Sequence, residues 1–384
     1  MGLITSWNDI YNNIANGRSY RFNWTKNFNP TTAATASETH ILTRGAGNPG
    51  ADSLYNTGTN LAFNAVTNAT TGASSIPYGP DVQPTFERQL VSASSYSVAA
   101  TTMPAVATLI DVIGYVRVTS VTTTTAQSVT NTLSQTSTFT ADAGTDVITH
   151  SGYNLLTGTR VRCTTTTTLP AGLSLATDYF VIKISTTTAK LATSYANAIA
   201  GTAINITDAG TGTHTLNWLY PRYTNGAGVN VALFNSNATP LGAATPNLSL
   251  VYVNQNQVGS KATPTTLPIG KTAASNTLCL YSGTGSGKYQ LAMPFASGDY
   301  GVAEITSIQN STSYVSGEYT ALVYYPIVEV QMPALGIGNT VNLAADMPSL
   351  PKIYDGAALY WAITSSAATP ANSAFNGHLQ FTWG

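Results

Sequence analysis

Apolar and polar positions alternate through much of the second half of this chain. The runs VNVALFNS, LSLVYVNQ, NTLCLYSG, EITSIQNS, EYTALVYYPIVEVQMP, AALYWAITSS and GHLQFTWG recur at fairly regular intervals, separated by clusters of Gly, Pro, Asn and Ser. A period of two places alternate side chains on one buried face, so each run predicts a strand. Many short strands with turn signals between them predict a sandwich or jelly roll. In the first half the clearest strand pattern is LIDVIGYVRVTSVTTTT, residues 109 to 125, where β-branched residues suit a pleated, half-buried surface.

The amino terminus follows another period. In GLITSWNDIYNNIANGR, Leu3, Trp7, Ile10 and Ile14 repeat at heptad-like spacing with Tyr11 beside them, and Gly17 stands where a helix would stop. A short helix is therefore expected within residues 1–19. Its apolar stripe must be covered, either by its own domain or by a neighbouring subunit or particle surface. Residues 20–84 are rich in Asn, Thr, Gly and Ala, which predicts a loop-rich arm with short strands at most.

Residues 131–217 interrupt the pattern. FTADAGTDVITHSGYNLLTGTRVRC, TTTTTLPAGLSLATDYFVIKIS and KLATSYANAIAGTAINITDAGTGTHTL hold five or six short strands. Turn signals fall at Asn154, Thr157-Gly158, Pro170-Ala171-Gly172, Gly201 and Gly210. These features predict a small β-sandwich or barrel with its own core, drawn from Val147, Ile148, Val161, Leu173, Tyr179, Val181, Ile184, Leu191, Ile204 and Ile206. Its flanks, TTTTAQSVTNTLSQTS and NWLYPRYTNGAG, read as two sides of an exposed loop, the usual place for an insertion. The fold expected is all-β: a jelly-roll-like or β-sandwich host of residues 20–130 and 218–384, an inserted β module of residues 131–217, and the amino-terminal helix.

Composition narrows the function. Of 384 residues only 8% are charged, against roughly a quarter in ordinary soluble domains, while 43% are hydrophobic. Thr, Ser, Asn and Gly have replaced the charge. With a net charge of -1, little repulsion keeps copies apart, which favours self-association or incorporation into a larger body. The 15 Lys and Arg are scattered and balanced by 16 acids, so no basic stripe is available for nucleic acid. The beginning of the chain lacks the basic start and apolar run of a secretory signal, and Pro104 and Asp111 interrupt the longest apolar stretch, so no membrane span is expected.

Candidate chemistry is sparse. YSGTGSGKYQL suggests a phosphate loop, but Ser282 and Tyr289 stand where that loop requires Gly and Ser or Thr. His40, His150, His214 and His378 show no metal-ligand spacing. Asp142, Asp146 and Asp208 read as turn acids, and Cys163 and Cys279 as buried thiols. No pair of carboxylates and no nucleophile elbow stands out, so neither catalytic residues nor a cofactor or metal is expected. Aromatic binding remains open, with Tyr153, Tyr179 and Tyr195 on the insert able either to stack on a sugar or peptide or to line the module's core.

The host segments TTTTAQSVTN, PRYTNGAGVNVALF, LSLVYVNQ, YSGTGSGKYQLAMPFASGDYGVAEITSIQ, DMPSLPKIYDGAALYWAI and FTWG resemble structural proteins of tailed-bacteriophage virions. DVITHSGYNLLTGTRVRC and KLATSYANAIAGTAINITDAGTGTHT are similar to a small β module that recurs inside many phage structural proteins. The resemblance implies a capsid decoration or cement protein on the virion exterior, assembled in the bacterial cytoplasm and without enzymatic activity. Its implied partners are the major capsid protein and further copies of itself, with a trimer favoured. Leu3, Trp7, Ile10, Tyr11 and Ile14 are then the candidate assembly interface. The alternative is a tail or receptor-binding component whose insert touches a host-surface glycan through Tyr153, Tyr179 and Tyr195.

Overall fold

The two long strands at the centre of this fold bury one face under different partners at their two ends. The computed structural model describes residues 6–27, 38–42, 47–48, 88–97, 105–129, 135–151, 155–235, 241, 244–264, 267–269, 279, 281, 290–334, 337–346, 350–354, 357–366 and 373–383. Within them the fold is all-β, with three sheets, a closed barrel and short helices.

The central sheet runs Asn230–Asn235, Tyr319–Met332, Ala105–Val118, Leu359–Ser365 and Thr39–Ile41, all antiparallel. Ala105, Ala107 and Leu109 on one face join Val328, Val330 and Met332 in a first core. Farther along, Ile113 and Val118 join Ala321 and Val323 in a second. The pairing of the two long strands shifts register between Val323 and Tyr324 and again between Pro326 and Val328. Each bulge inserts an unpaired residue and resets which side chains face inward, so odd positions give way to even ones along a continuous buried surface.

The first core is covered by a sheet ordered Asn339–Asn342, Arg88–Ser97, Ala374–Trp383, Ser19–Asn27 and Gly47–Asn48, with Lys352–Ile353 also paired to Arg88–Ser97. Strand Ser19–Asn27 corrects the expectation of a loop-rich arm. It pairs along its whole length with Ala374–Trp383 and alternates Phe22, Trp24 and Lys26 inward against exposed Arg21, Asn23 and Thr25. The period was present in SYRFNWTKN, but its polar residues resembled turn chemistry. Most of the rest of residues 20–84 lies outside the described residues. Trp24 packs against Trp361 with ring centroids 4.9 Å apart and planes tilted by 33°, and donates from Nε1 to Ser94 O at 3.3 Å. Only glycine fits at position 377, where a Cβ would stand 1.9 Å from that same carbonyl oxygen.

The second core is covered by Lys261–Ala262, Asn247–Asn254, Val302–Asn310 and Gln127–Ser128, with Leu267–Pro268 alongside. Fully buried members such as Leu248, Leu250 and Tyr252 each contribute roughly 1.5–3 kcal/mol over exposure for an aliphatic-sized side chain. The Thr122–Thr125 run, expected to extend a strand, follows its end at Val118 and is irregular after a turn at Val121–Thr122.

Between Gln127–Ser128 and Asn230–Asn235 the chain builds the barrel. Strands Gln135–Asp142, Val147–His150, Arg160–Thr165, Asp178–Lys183, Thr188–Ala192 and His214–Trp218 pair with one another and close. Phe139, Ile148, Val161, Cys163, Val181, Leu191 and Leu216 fill its interior. Trp218, expected to open the host, is fully buried in this core. Ile184, expected inside, is 54% exposed at a strand end. In KLATSYANAIAG, only the first residues continue a strand. Ser194 caps a short helix Tyr195–Ala200, which stops at left-handed Gly201, φ 74°.

Candidate functional site

The amino-terminal helix, Trp7–Ala15, begins with a capping box. Ser6 Oγ accepts from Asp9 N at 3.2 Å, and the Asp9 carboxylate accepts from Ser6 N at 2.9 Å. The helix is anchored beyond its end, where Arg18 O accepts from the Thr382 hydroxyl at 2.8 Å and from Trp383 N at 3.2 Å. Its residues divide between two faces. Ile10 and Asn13 are buried, whereas Trp7 is 45%, Tyr11 64% and Ile14 39% exposed.

At about 100° per residue, Trp7, Tyr11 and Ile14 share one face, turned roughly a quarter turn from the docked one. The five-residue stripe is therefore split. Ile10 belongs to the fold, Trp7, Tyr11 and Ile14 face solvent, and Leu3 lies outside the described residues. Trp7 and Tyr11 stack on each other with ring centroids 6.2 Å apart.

Of the three tyrosines assigned to the insert, the two within the described residues do not share a surface. Tyr179 is buried in the barrel core, where its hydroxyl accepts from Ser174 N at 2.7 Å. Its place in DYFVIK alternates with half-buried neighbours, so the interior claims it. Tyr195 is half-buried and belongs to the junction with the host. Its hydroxyl donates to Asn256 Oδ1 at 3.3 Å, and its ring covers Gly158, where a Cβ would meet Tyr195 Cε2 at 2.6 Å. Tyr153 lies outside the described residues.

The exit from the barrel also departs from expectation. NWLYPRYTNGAG is core rather than exposed loop, because Trp218, Tyr220, Arg222 and Tyr223 are buried. Arg222 Nε and an Nη nitrogen each reach a carboxylate oxygen of Asp111 at 2.8 Å, and the same Nη donates to Val112 O at 2.8 Å. Ala358 N donates to Asp111 Oδ1 at 2.8 Å. Tyr223 lies flat on Tyr325, centroids 3.9 Å apart, and edge-on to Tyr354. Burial, then the Asp111 charge, pushes the Tyr223 hydroxyl well above the ordinary phenol value.

The remaining candidates have local duties. Asp142 accepts from Gly144 N and Thr145, Asp146 from Ile206 N, and Asp208 from Ala171 N and Gly210 N. These backbone bonds hold the Asp142 and Asp208 carboxyls below their usual value. His214 joins Thr165 and Ala209 O, and His378 joins Ser94. Burial pushes the Cys163 thiol up to about 12 and Cys279 higher still. Among the described residues no group of three or more His, Cys, Asp and Glu is placed to hold a metal. Within the same residues no helix is long and apolar enough to cross a membrane.

Asp111, Arg222 and Tyr223 were missed as a set. The available signal was Asp111 itself, a charge inside an apolar strand, which burial obliges to find a partner.

No family model matches the chain, and no curated protein matches it. Among solved structures, a chain of "Structure of infectious bursal disease virus Gt strain" aligns at 11% identity over 95% of this chain and 81% of that one, with a TM-score of 0.16. A score that low carries no argument.

Proposed function

We propose that this protein is a structural component of a tailed-bacteriophage virion that decorates the capsid exterior by binding the major capsid protein lattice, as a homo-oligomer with a trimer favoured. The observation that carries the reading is the solvent-facing set Trp7, Tyr11 and Ile14, on a helix already docked through Ile10. A preformed apolar face on a chain with 8% charged residues suits a permanent contact made by burial and backbone hydrogen bonding. The resemblance of the host segments and of the insert to phage structural proteins points the same way. The glycan-binding alternative loses support, because Tyr179 and Tyr195 already serve the core and the junction.

Quantitative mass spectrometry of purified virions tests the proposal. Copies approaching parity with the major capsid protein, or a simple fraction of it, support decoration of the lattice. A handful per particle would instead assign the protein to a vertex or the tail. Attachment should also survive high salt, since screening weakens only charge contacts.

A further inference from the structure

We infer that the barrel is locked to the host in one orientation, so that the two move as a single body and the barrel's far end is presented at a fixed angle. Independent motion is the ordinary expectation for an inserted module joined by two strands of chain. Two sets of contacts oppose it here.

The first set fixes the chain that leaves the barrel to the central sheet. Asp111 and Tyr325 are register partners on the central sheet, and Tyr325 packs against both cores. The returning chain sets Arg222 on Asp111 and Tyr223 on Tyr325. Consecutive residues of an extended chain point opposite ways, but Tyr223 has φ 47°, a left-handed conformation that is costly for a bulky residue and turns both side chains onto the same seam.

The second set joins barrel to host directly. Thr224 Oγ1 accepts from Leu156 N at 3.1 Å and bonds the fully buried Thr159 hydroxyl. Asn225 Nδ2 donates to Thr157 O at 3.2 Å. Arg160 of the barrel pairs with Glu304 of the host, and Tyr195 reaches Asn256. These contacts surround the barrel's base, whereas the turns at Asp142–Asp146 and Ala209–Gly212 lie at the opposite end of its strands.

Paired spin labels on the full chain test the inference. Cysteines introduced as Ala143→Cys on the far turn and Thr312→Cys on the host are both exposed, while the native thiols are buried and should stay unlabelled. The distance distribution should be a single narrow peak. In Thr224→Ala/Asn225→Ala/Glu304→Gln that narrow peak should be lost while the circular dichroism spectrum is retained. Tyr195→Phe, a milder change at the same junction, should broaden the peak without lowering the host's unfolding temperature. A broad distribution in the parent, or a peak unchanged in both folded variants, would overturn the inference.

Discussion

Asp111 and Arg222 form a bidentate pair at 2.8 Å with side-chain exposures of 0% and 3%, at the seam where the first core meets the second. One residue comes from the middle of the central sheet and the other from the chain leaving the barrel. Desolvating both charges is costly, and the further bonds to Ala358 N and Val112 O offset that cost.

Removing one partner leaves a buried charge alone. Arg222→Met is therefore expected to lower unfolding free energy by about 3–5 kcal/mol, and Asp111→Leu/Arg222→Met by less than Arg222→Met alone. Urea titration of the three proteins checks this ordering.

At Gly158, φ is 87° and a Cβ would lie 2.6 Å from Tyr195 Cε2. Gly158→Ala should cost roughly 1–3 kcal/mol from backbone strain and the displaced ring. Adding Tyr195→Ala should return only the part due to the ring. Hydrogen exchange of the barrel strands measures both.

His150 is buried in the barrel, its Nδ1 has no hydrogen-bond partner among the described residues, and burial lowers its affinity for a proton. The unfolded chain thus binds the proton more tightly. The resulting stability is complete above the ordinary imidazole value of about 6.5 and declines as pH falls from there through the lowered folded value. Exchange rates in the barrel should rise with acidification, and His150→Phe should flatten that dependence. Burial lowers His40 and His378 in the same direction, so part of the acid sensitivity of the host should persist in the variant.

The two faces of the amino-terminal helix should respond differently. Ile10→Ala removes a buried side chain and should cost about 2 kcal/mol or more in the unfolding of the helix against the sheet. Trp7→Ser/Tyr11→Ser should change stability by only about 0.5 kcal/mol per site. The same pair should abolish attachment to capsids in a co-sedimentation assay. Retained attachment would exclude this face as the assembly interface.

Neither native thiol should react with iodoacetamide in the folded protein. Cys163 and Cys279 are both fully buried, and burial disfavours the thiolate that attacks. Mass spectrometry should show both alkylated once the chain is unfolded.

The alternation in EYTALVYYPIVEVQMP and AALYWAITSS determined by itself that these segments are strands with buried faces, because a pleated strand turns successive side chains to opposite sides. The low charge and the turn glycines of the insert were equally local facts, and Gly158, Gly172, Gly201 and Gly210 all adopt positive φ. The tertiary structure alone decided which apolar residues were left over. Helical periodicity marked Trp7, Ile10, Tyr11 and Ile14 as one amphipathic set, but the sheet accepted only the face bearing Ile10. Tyr179 and Tyr195 looked equivalent as sequence, and one became core while the other became junction. Asp111 and Arg222 are 111 positions apart. Their pairing depends on a barrel that folds between them and returns the chain to the same seam, a long-range closure that no local pattern encodes.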